Sequence, residues 1–319
     1  MNLALTDLPV HADWRLQAHL TGLRYATNYS HILQVYPPGA WGGDFPNGML
    51  GAPNTWERQW RGTVMATYSG WADHLLSVGA GHEDLHLYRT QEFKNFTLPV
   101  GATPQPLGGI TEAGPEEVFL KPHRRRVDHL IVQDEWNVAR DWTLTTGLRH
   151  DRYSDVGSTT NPRVALVWDT SLDVTTKLLH GRAFRAPSLL ELYSINNPVL
   201  RGNPKLKPET IETTELAFSW QARSDTLLQL SLFRYGRRDI IAPTGNPQVF
   251  QNTGRQTGSG FELEARHDMS HAVSLSGNYA WQRATDKASG QDVGYTPRHH
   301  LYGRADWRWD NGWHWSSQL

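Results

Sequence analysis

The chain has 319 residues and a formal net charge of -1, so it carries no basic excess for nucleic acid. It contains no cysteine, which rules out a disulfide framework and thiolate metal ligands. Fourteen Trp and eleven Tyr sit in a chain whose mean hydropathy is only -0.56. That combination suits a membrane β-barrel, where half of each strand faces water and rings crowd the interfaces.

The first residues, MNLALTDLPVHADW, show no basic segment followed by an apolar one, so they do not read as a secretory leader. No run of 18 apolar residues occurs anywhere, so a membrane-spanning helix is not expected. From Trp14 onward the pattern is period-two alternation, the mark of a strand with one apolar and one polar face. One strand is expected from about Asp73 to Phe93, and another in DWTLTTGLRHD. In ETTELAFSW, Leu216, Phe218 and Trp220 alternate with Glu215, Ala217 and Ser219. FELEAR continues the pattern. Val273, Leu275, Tyr279 and Trp281 alternate with Ser274, Ser276, Asn278 and Gln282, and the last clear strand is LYGRADWRWD.

The links alternate in length. Long ones cover 30–54, 94–122, 154–162, 186–208, 240–254 and 285–297. Short ones, SGWAD, VARDW, DTSLD, ARSD, DMSH and DNG, fall between them. Long loops at one end and tight turns at the other describe an outer-membrane barrel. The fold class is therefore all-β, a transmembrane antiparallel β-barrel with about 12–13 strands in view. A soluble sandwich or propeller is the alternative; the strands are too long for the first, and no repeat supports the second.

One short motif points elsewhere. His82-Glu83-Asp84-Leu85-His86 matches H-E-x-x-H, the zinc-peptidase signature. That chemistry needs a helix, which brings both histidines to one metal. In a strand, four residues span about 13 Å, too far for two nitrogens bound at about 2.1 Å. Gly79 and Gly81 also disfavour a helix. No metal site is expected here, nor any catalytic residue.

The central segment carries a more specific signal: Phe184-Arg185-Ala186-Pro187, followed by Gly202-Asn203-Pro204-Lys205-Leu206-Lys207-Pro208-Glu209. Together with QNTGRQTGSGFELEAR and YTPRHHLYGRADW downstream, it resembles the TonB-dependent outer-membrane receptor family, from about Trp14 to the end of the chain. The resemblance implies a barrel of roughly 22 strands plugged by an N-terminal domain. Residues 1–319 are then expected to be one barrel domain, without the plug, the first strands and the last strands. Alone, such a fragment is expected to be inactive.

By the same resemblance the function is uptake of a ferric siderophore or similar iron complex. The implied partners are outer-membrane lipid, the iron complex and the TonB energy-transducing complex of the full-length receptor, with no cofactor and no nucleic acid. Haem or cobalamin uptake and a passive pore or adhesion barrel are the alternatives. The stretch SLLELYSINNPVLRGN contains no His, which argues against haem, although His123, His299 and His300 remain as second-site ligands.

A wet vestibule needs rings for a flat ligand and cations for an anionic one. The loops offer Tyr36, Trp41, Phe45 and Trp56, then Arg149, Arg152 and Tyr153, Arg185 and Tyr193. Arg237, Arg238, Phe250, Tyr295 and Arg298 follow. Any one of these is equally the residue type of an interfacial ring or a solvated charge. The run Arg124-Arg125-Arg126 reads as headgroup-facing. Arg185, Pro187 and the Asn203–Glu209 segment also admit an architectural role, with Pro187 and Pro208 marking where strand pairing stops.

Overall fold

Period-two alternation has one stable outcome when a single face is apolar: strands paired so that all apolar side chains share a side. A computed structural model describes residues 1–29, 31–98, 103–294 and 296–319 and shows that outcome. The strands are β1 (Asn2–His11), β2 (Trp14–Thr27), β3 (Leu33–Tyr36), β4 (Met49–Tyr68), β5 (His74–Thr97) and β6 (Gln105–Glu112). They continue with β7 (His123–Ala139), β8 (Trp142–Tyr153), β9 (Gly157–Ser171), β10 (Val174–Arg185), β11 (Leu200–Arg201) and β12 (Glu209–Arg223). The last are β13 (Thr226–Thr244), β14 (Gln248–Asp268), β15 (Val273–Asp286), β16 (His299–Arg308) and β17 (His314–Gln318). One short helix, α1 (Leu189–Tyr193), and a 3-10 turn at Trp41–Gly43 lie in the links.

The seventeen strands less β3, β6 and β11, fourteen in all, form one antiparallel meander from β1 to β17. The three short ones decorate it: β3 pairs with β4, β6 with β5, and β11 runs parallel to β14. Among the described residues β1 and β17 each pair on one side only, so the sheet is an open wall.

The wall has one or two strands more than the roughly 12–13 expected. β1 escapes the alternation test because register shifts between Leu5 and Leu8 and between Pro9 and His11 break its phase. β17 is short, five residues. Two expected loops are also corrected. β8 and β9 meet through 154–156, and β13 and β14 through 245–247, so most of 154–162 and 240–254 is strand. The prolines that argued for loops sit where a ladder has ended on one side. Pro162 lies just past the last β9–β10 pair, Gly181 with Arg163, and Pro243 lies past the last β12–β13 pair, Thr210 with Arg238. Neither is asked to donate there.

Cross-strand partners share a face, so the register sorts the two sides. One row reads Trp136, Leu144, Leu166, Leu178, Leu216, Leu232, Phe261, Trp281 across eight strands. On the other face a row reads Asp169, Thr175, Ser219, Gln229, Glu264, Asn278, Tyr302. The apolar side is the outside and the polar side lines the lumen. At the turn end rings form a belt: Trp14 lies 4.9 Å from Tyr68, His74 stacks on Trp136 at 5.3 Å, and Trp142 on Trp168 at 4.8 Å.

Facing decides tolerance to charge. Val132→Arg, on the outer face, should lower stability in lipid vesicles by about 2–4 kcal/mol. Thr145→Arg, on the lumenal face, should change it by no more than about 0.5 kcal/mol. Urea titration of the two variants beside the parent checks the difference.

Candidate ligand vestibule

At the loop end the ladder stops, and the chain must satisfy itself by other means. The β10–β12 ladder ends at Arg185 paired with Glu209, with Pro187 and Pro208 close beyond. The Arg185 guanidinium donates to both oxygens of Glu209 at 3.0 Å and to both oxygens of Glu191 at 2.8 and 3.0 Å. Glu209 also accepts the Ile241 amide at 2.6 Å, and Arg237 lies 3.6 Å from it. Glu191 belongs to a capping box: its carboxylate accepts the Ser188 amide at 2.7 Å, while the Ser188 hydroxyl accepts the Glu191 amide at 3.1 Å. One arginine thus ties the end of β10 to the start of β12 and to the first turn of α1.

The rest of the link folds onto this clamp. Gly202 is required because an added Cβ would lie 2.6 Å from the Ser194 nitrogen and 2.7 Å from the Leu192 carbonyl. The Asn203 side chain donates to the Phe250 carbonyl at 3.0 Å and accepts the Lys205 amide at 2.9 Å. Leu192, Leu206, Ile241 and Phe250 bury one another beneath, and Pro187 is fully buried.

A second link segment, 113–122, is held by a buried ion pair. Lys94, 1% exposed, lies 3.2 Å from Glu92 and 5.2 Å from the Phe96 ring centre, and donates to the Glu117 carbonyl. Glu92 in turn accepts the Phe119 amide at 2.8 Å. The two links lock together: the Ile195 amide donates to the Phe119 carbonyl at 2.8 Å, and the Asn196 side chain to the Glu116 carbonyl at 2.7 Å. His123 stacks on Tyr193 at 3.9 Å.

Beneath the joined links lies a recess of about 420 Å³ on the lumenal side, lined by Tyr25, Tyr29, Phe119, Arg125, Leu189 and Leu190 among others. Tyr25 and Tyr29 are exposed, and the Tyr25 hydroxyl donates to Glu57 at 2.7 Å. Arg125 pairs with Asp155 and lies 5.7 Å from the Tyr153 ring. Burial, then the Asp155 carboxylate, pushes the Tyr193 phenol up.

The structure distributes the residues singled out from sequence rather than gathering them. Phe45 and Phe250 are buried, the first against Met49 and Phe96. Tyr36 covers that cluster, edge-on to exposed Trp41 at 5.9 Å. Trp56 carries the Arg89 guanidinium 4.3 Å above its ring. Arg149 chelates Asp151, and Arg298 pairs with Asp292. Arg238 lies 3.8 Å from Glu212, and Arg152 registers opposite Asp128 on the outer face. Phe184 meets Tyr153 edge-on at 5.9 Å. Tyr295 lies outside the described residues. Arg185 and Arg237 converge on Glu209; Tyr153 and Tyr193 converge on Arg125 and Asp155. The arginine run splits by alternation, with Arg125 buried and Arg124 and Arg126 exposed.

Sequence reasoning missed Tyr25, Tyr29 and Leu190. For Tyr25 the signal was present, since its phase on β2 matches the polar side chains Gln17, His19 and Thr21. The histidines of the zinc-like motif lie on strand β5 and have other partners: His82 with Asp128 at 2.7 Å and His86 with Arg58 at 3.1 Å. No metal-binding cluster occurs among the described residues.

A family model described as the TonB dependent receptor-like β-barrel matches residues 4–318, and the chain belongs to that family. The iron-regulated outer membrane virulence protein of Vibrio cholerae serotype O1 is 28% identical over 201 residues, 56% of this chain and 31% of its own length. The vitamin B12 transporter BtuB of the same species is 33% identical over 136 residues, 42% of this chain and 21% of its own. The matched stretches cover less than a third of the length of these curated relatives. Among solved structures, the copper transporter OprC superposes with a TM-score of 0.71 at 14% identity, over 99% of this chain and 50% of that one. At that identity the likeness shows the fold. The wall is that of an outer-membrane β-barrel, in a family of receptors and transporters rather than enzymes.

Two outcomes follow for the clamp. Arg185→Ala should speed amide exchange across α1 by about tenfold or more, the equivalent of roughly 1–3 kcal/mol for lost charged hydrogen bonds, and Arg185→Lys should recover only part, because an ammonium cannot chelate two carboxylates. The second outcome is a pH dependence. Burial disfavours the Glu191 carboxylate, but the Arg185 guanidinium and Ser188 outweigh it and hold its pKa below the usual value. Its contribution is therefore complete above the ordinary Glu pKa of about 4.3 and is lost as pH falls through the lowered native value. Exchange at α1, corrected for intrinsic rate, should stay flat from pH 7 to about 5 and rise below about 4.

Proposed function

We propose that this wall is the barrel portion of an outer-membrane receptor for TonB-dependent uptake of a ferric siderophore or similar iron complex. The observation that carries the reading is the recess: two exposed tyrosines and apolar side chains under locked loops, on the lumenal face. Its volume of about 420 Å³ lies in the range of small-ligand sites. A relative named as a ferric enterobactin receptor, 25% identical over 214 residues, supports an iron complex as the cargo. The candidate loop cations are largely matched to carboxylates of the chain itself, so rings supply most of the contact. Trp41 at the loop surface and Arg237, only loosely paired at 3.6 Å, are the remaining members of the proposed site.

Residues 1–319 act in this reading as one stretch of a larger barrel. Unpaired backbone in hydrocarbon costs several kcal/mol per group, and the free edges of β1 and β17 are where further strands pair. Energy from the TonB complex then moves the cargo through the lumen. The B12-transporter relative supports cobalamin as a second reading.

The test titrates an iron(III) tris-catecholate onto the chain in detergent and follows quenching of tryptophan emission. The double change Tyr25→Ala, Tyr29→Ala should weaken binding about tenfold, as expected for two lost ring contacts. Unchanged affinity for the iron complex, or tighter binding of cobalamin than of the catecholate, would sink the iron reading.

A further inference from the structure

The outer face of the wall changes character along its height. Down β7 the outward residues are Arg124, Arg126 and Asp128, then Leu130 and Val132, then Trp136 beyond Asp134, so the apolar zone begins at Leu130. Leu130 to Trp136 covers about 20 Å of strand, which at the usual tilt of about 40° is about 15 Å of height, within the apolar band of about 25 Å of a transmembrane barrel. Six residues up the strand from Leu130, about 20 Å, the register lines up Arg24, Arg58, His86 and Arg124 on β2, β4, β5 and β7. The next row down reads Gly22, Trp60, Asp84, Arg126.

This row is short of acid. Asp84 is matched to Arg124 at 2.8 Å, and Asp128, lower down, to His82 at 2.7 Å. Arg58 donates to His86 at 3.1 Å, not to a carboxylate. Arg24, Arg58 and Arg126 have no carboxylate within ion-pair distance among the described residues, and all three are exposed. Arg24 and Arg58 stand directly opposite one another, a placement of like charges that is unfavourable unless an anion sits between them.

Immediately below lies an apolar groove of about 680 Å³, lined on the outer face by Leu3, Leu5, Leu20, Gly62, Val64 and Ala80. Gly62 and Ala80 leave its floor low. Trp60, 43% exposed, lies over Gly22 at the level between groove and cations. A groove of acyl-chain width topped by unmatched guanidiniums fits one class of occupant. We propose that the outer surface of β2, β4, β5 and β7 binds a phosphorylated, acylated lipid of the outer leaflet. Its phosphate sits among Arg24, Arg58 and Arg126, and its acyl chain in the groove. Guanidinium forks match phosphate oxygens, and basic clusters at a membrane surface recognise anionic headgroups. The site is on the opposite face from the vestibule and stands whatever the cargo is.

The test is native mass spectrometry of the full chain in maltoside micelles, titrated with bisphosphorylated lipid A. The parent should retain the lipid. The triple change Arg24→Gln, Arg58→Gln, Arg126→Gln should weaken retention about a hundredfold, at roughly fivefold for each cation near a membrane surface. Arg283→Gln, an exposed cation on β15, should leave it unchanged. Ala80→Trp, filling the groove, should weaken lipid retention without affecting pyrophosphate. Retention of lipid A by the triple variant at the parent's level would overturn the proposal. So would equal retention of dephosphorylated lipid A, or displacement of the lipid by an equal concentration of pyrophosphate, which would make the patch a free-anion site.

Discussion

Every part of this molecule depends on the rule that a backbone amide or carbonyl cannot be left without a partner in hydrocarbon. Strands meet that rule only by pairing laterally, so the wall is one uninterrupted antiparallel ladder from β1 to β17. Pairing in turn fixes which side chains share a face, and a slip of one residue in β8 would turn Trp142, Leu144 and Leu148 inward together. The alternation in the sequence is the cost of that rule written residue by residue.

Above the membrane the ladder runs out and a different economy applies. Three long links build small cores of their own, around Phe45 and Met49, Leu87 and Phe119, and Leu192 and Phe250. Two of these links are held to the wall by a charged group: Arg185 with its two carboxylates, and Lys94 with Glu92. Breaking a partly buried pair leaves the surviving charge without compensation, so these groups hold a loop in place more than they add net stability. The consequence for function is direct. Under the proposed function, arginines committed to the chain's own carboxylates are poor ligands for cargo, and the exposed tyrosines of the recess are better placed.

The division of faces was readable from sequence because period two is a local property. ETTELAFSW carries its apolar side in three consecutive odd steps, and the structure pairs all three outward. β1 was not readable, because its register shifts reverse the phase midway. Tall hairpins at Pro162 and Pro243 look like loops in the sequence, which does not reveal that the neighbouring ladder has already ended. The Phe-Arg-Ala-Pro and Gly-Asn-Pro segments announced the family, yet the work of Arg185 was hidden. Its partners, Glu191 and Glu209, come from both ends of a folded link, and residue type alone does not distinguish a clamp from a ligand contact. Arg124, Arg125 and Arg126 look alike in the chain and differ only through alternation, which sends the middle one inward.

The most direct measurement uses the absence of native cysteine. Single cysteines at 130, 131, 132 and 133 on β7, with the protein in lipid vesicles, would each be the sole thiol. Ile131→Cys and Gln133→Cys should react with a membrane-impermeant maleimide, while Leu130→Cys and Val132→Cys should resist it and react with a lipid-soluble reagent. Equal labelling at all four positions, or the reverse alternation, would contradict a transmembrane wall with its apolar row in the bilayer.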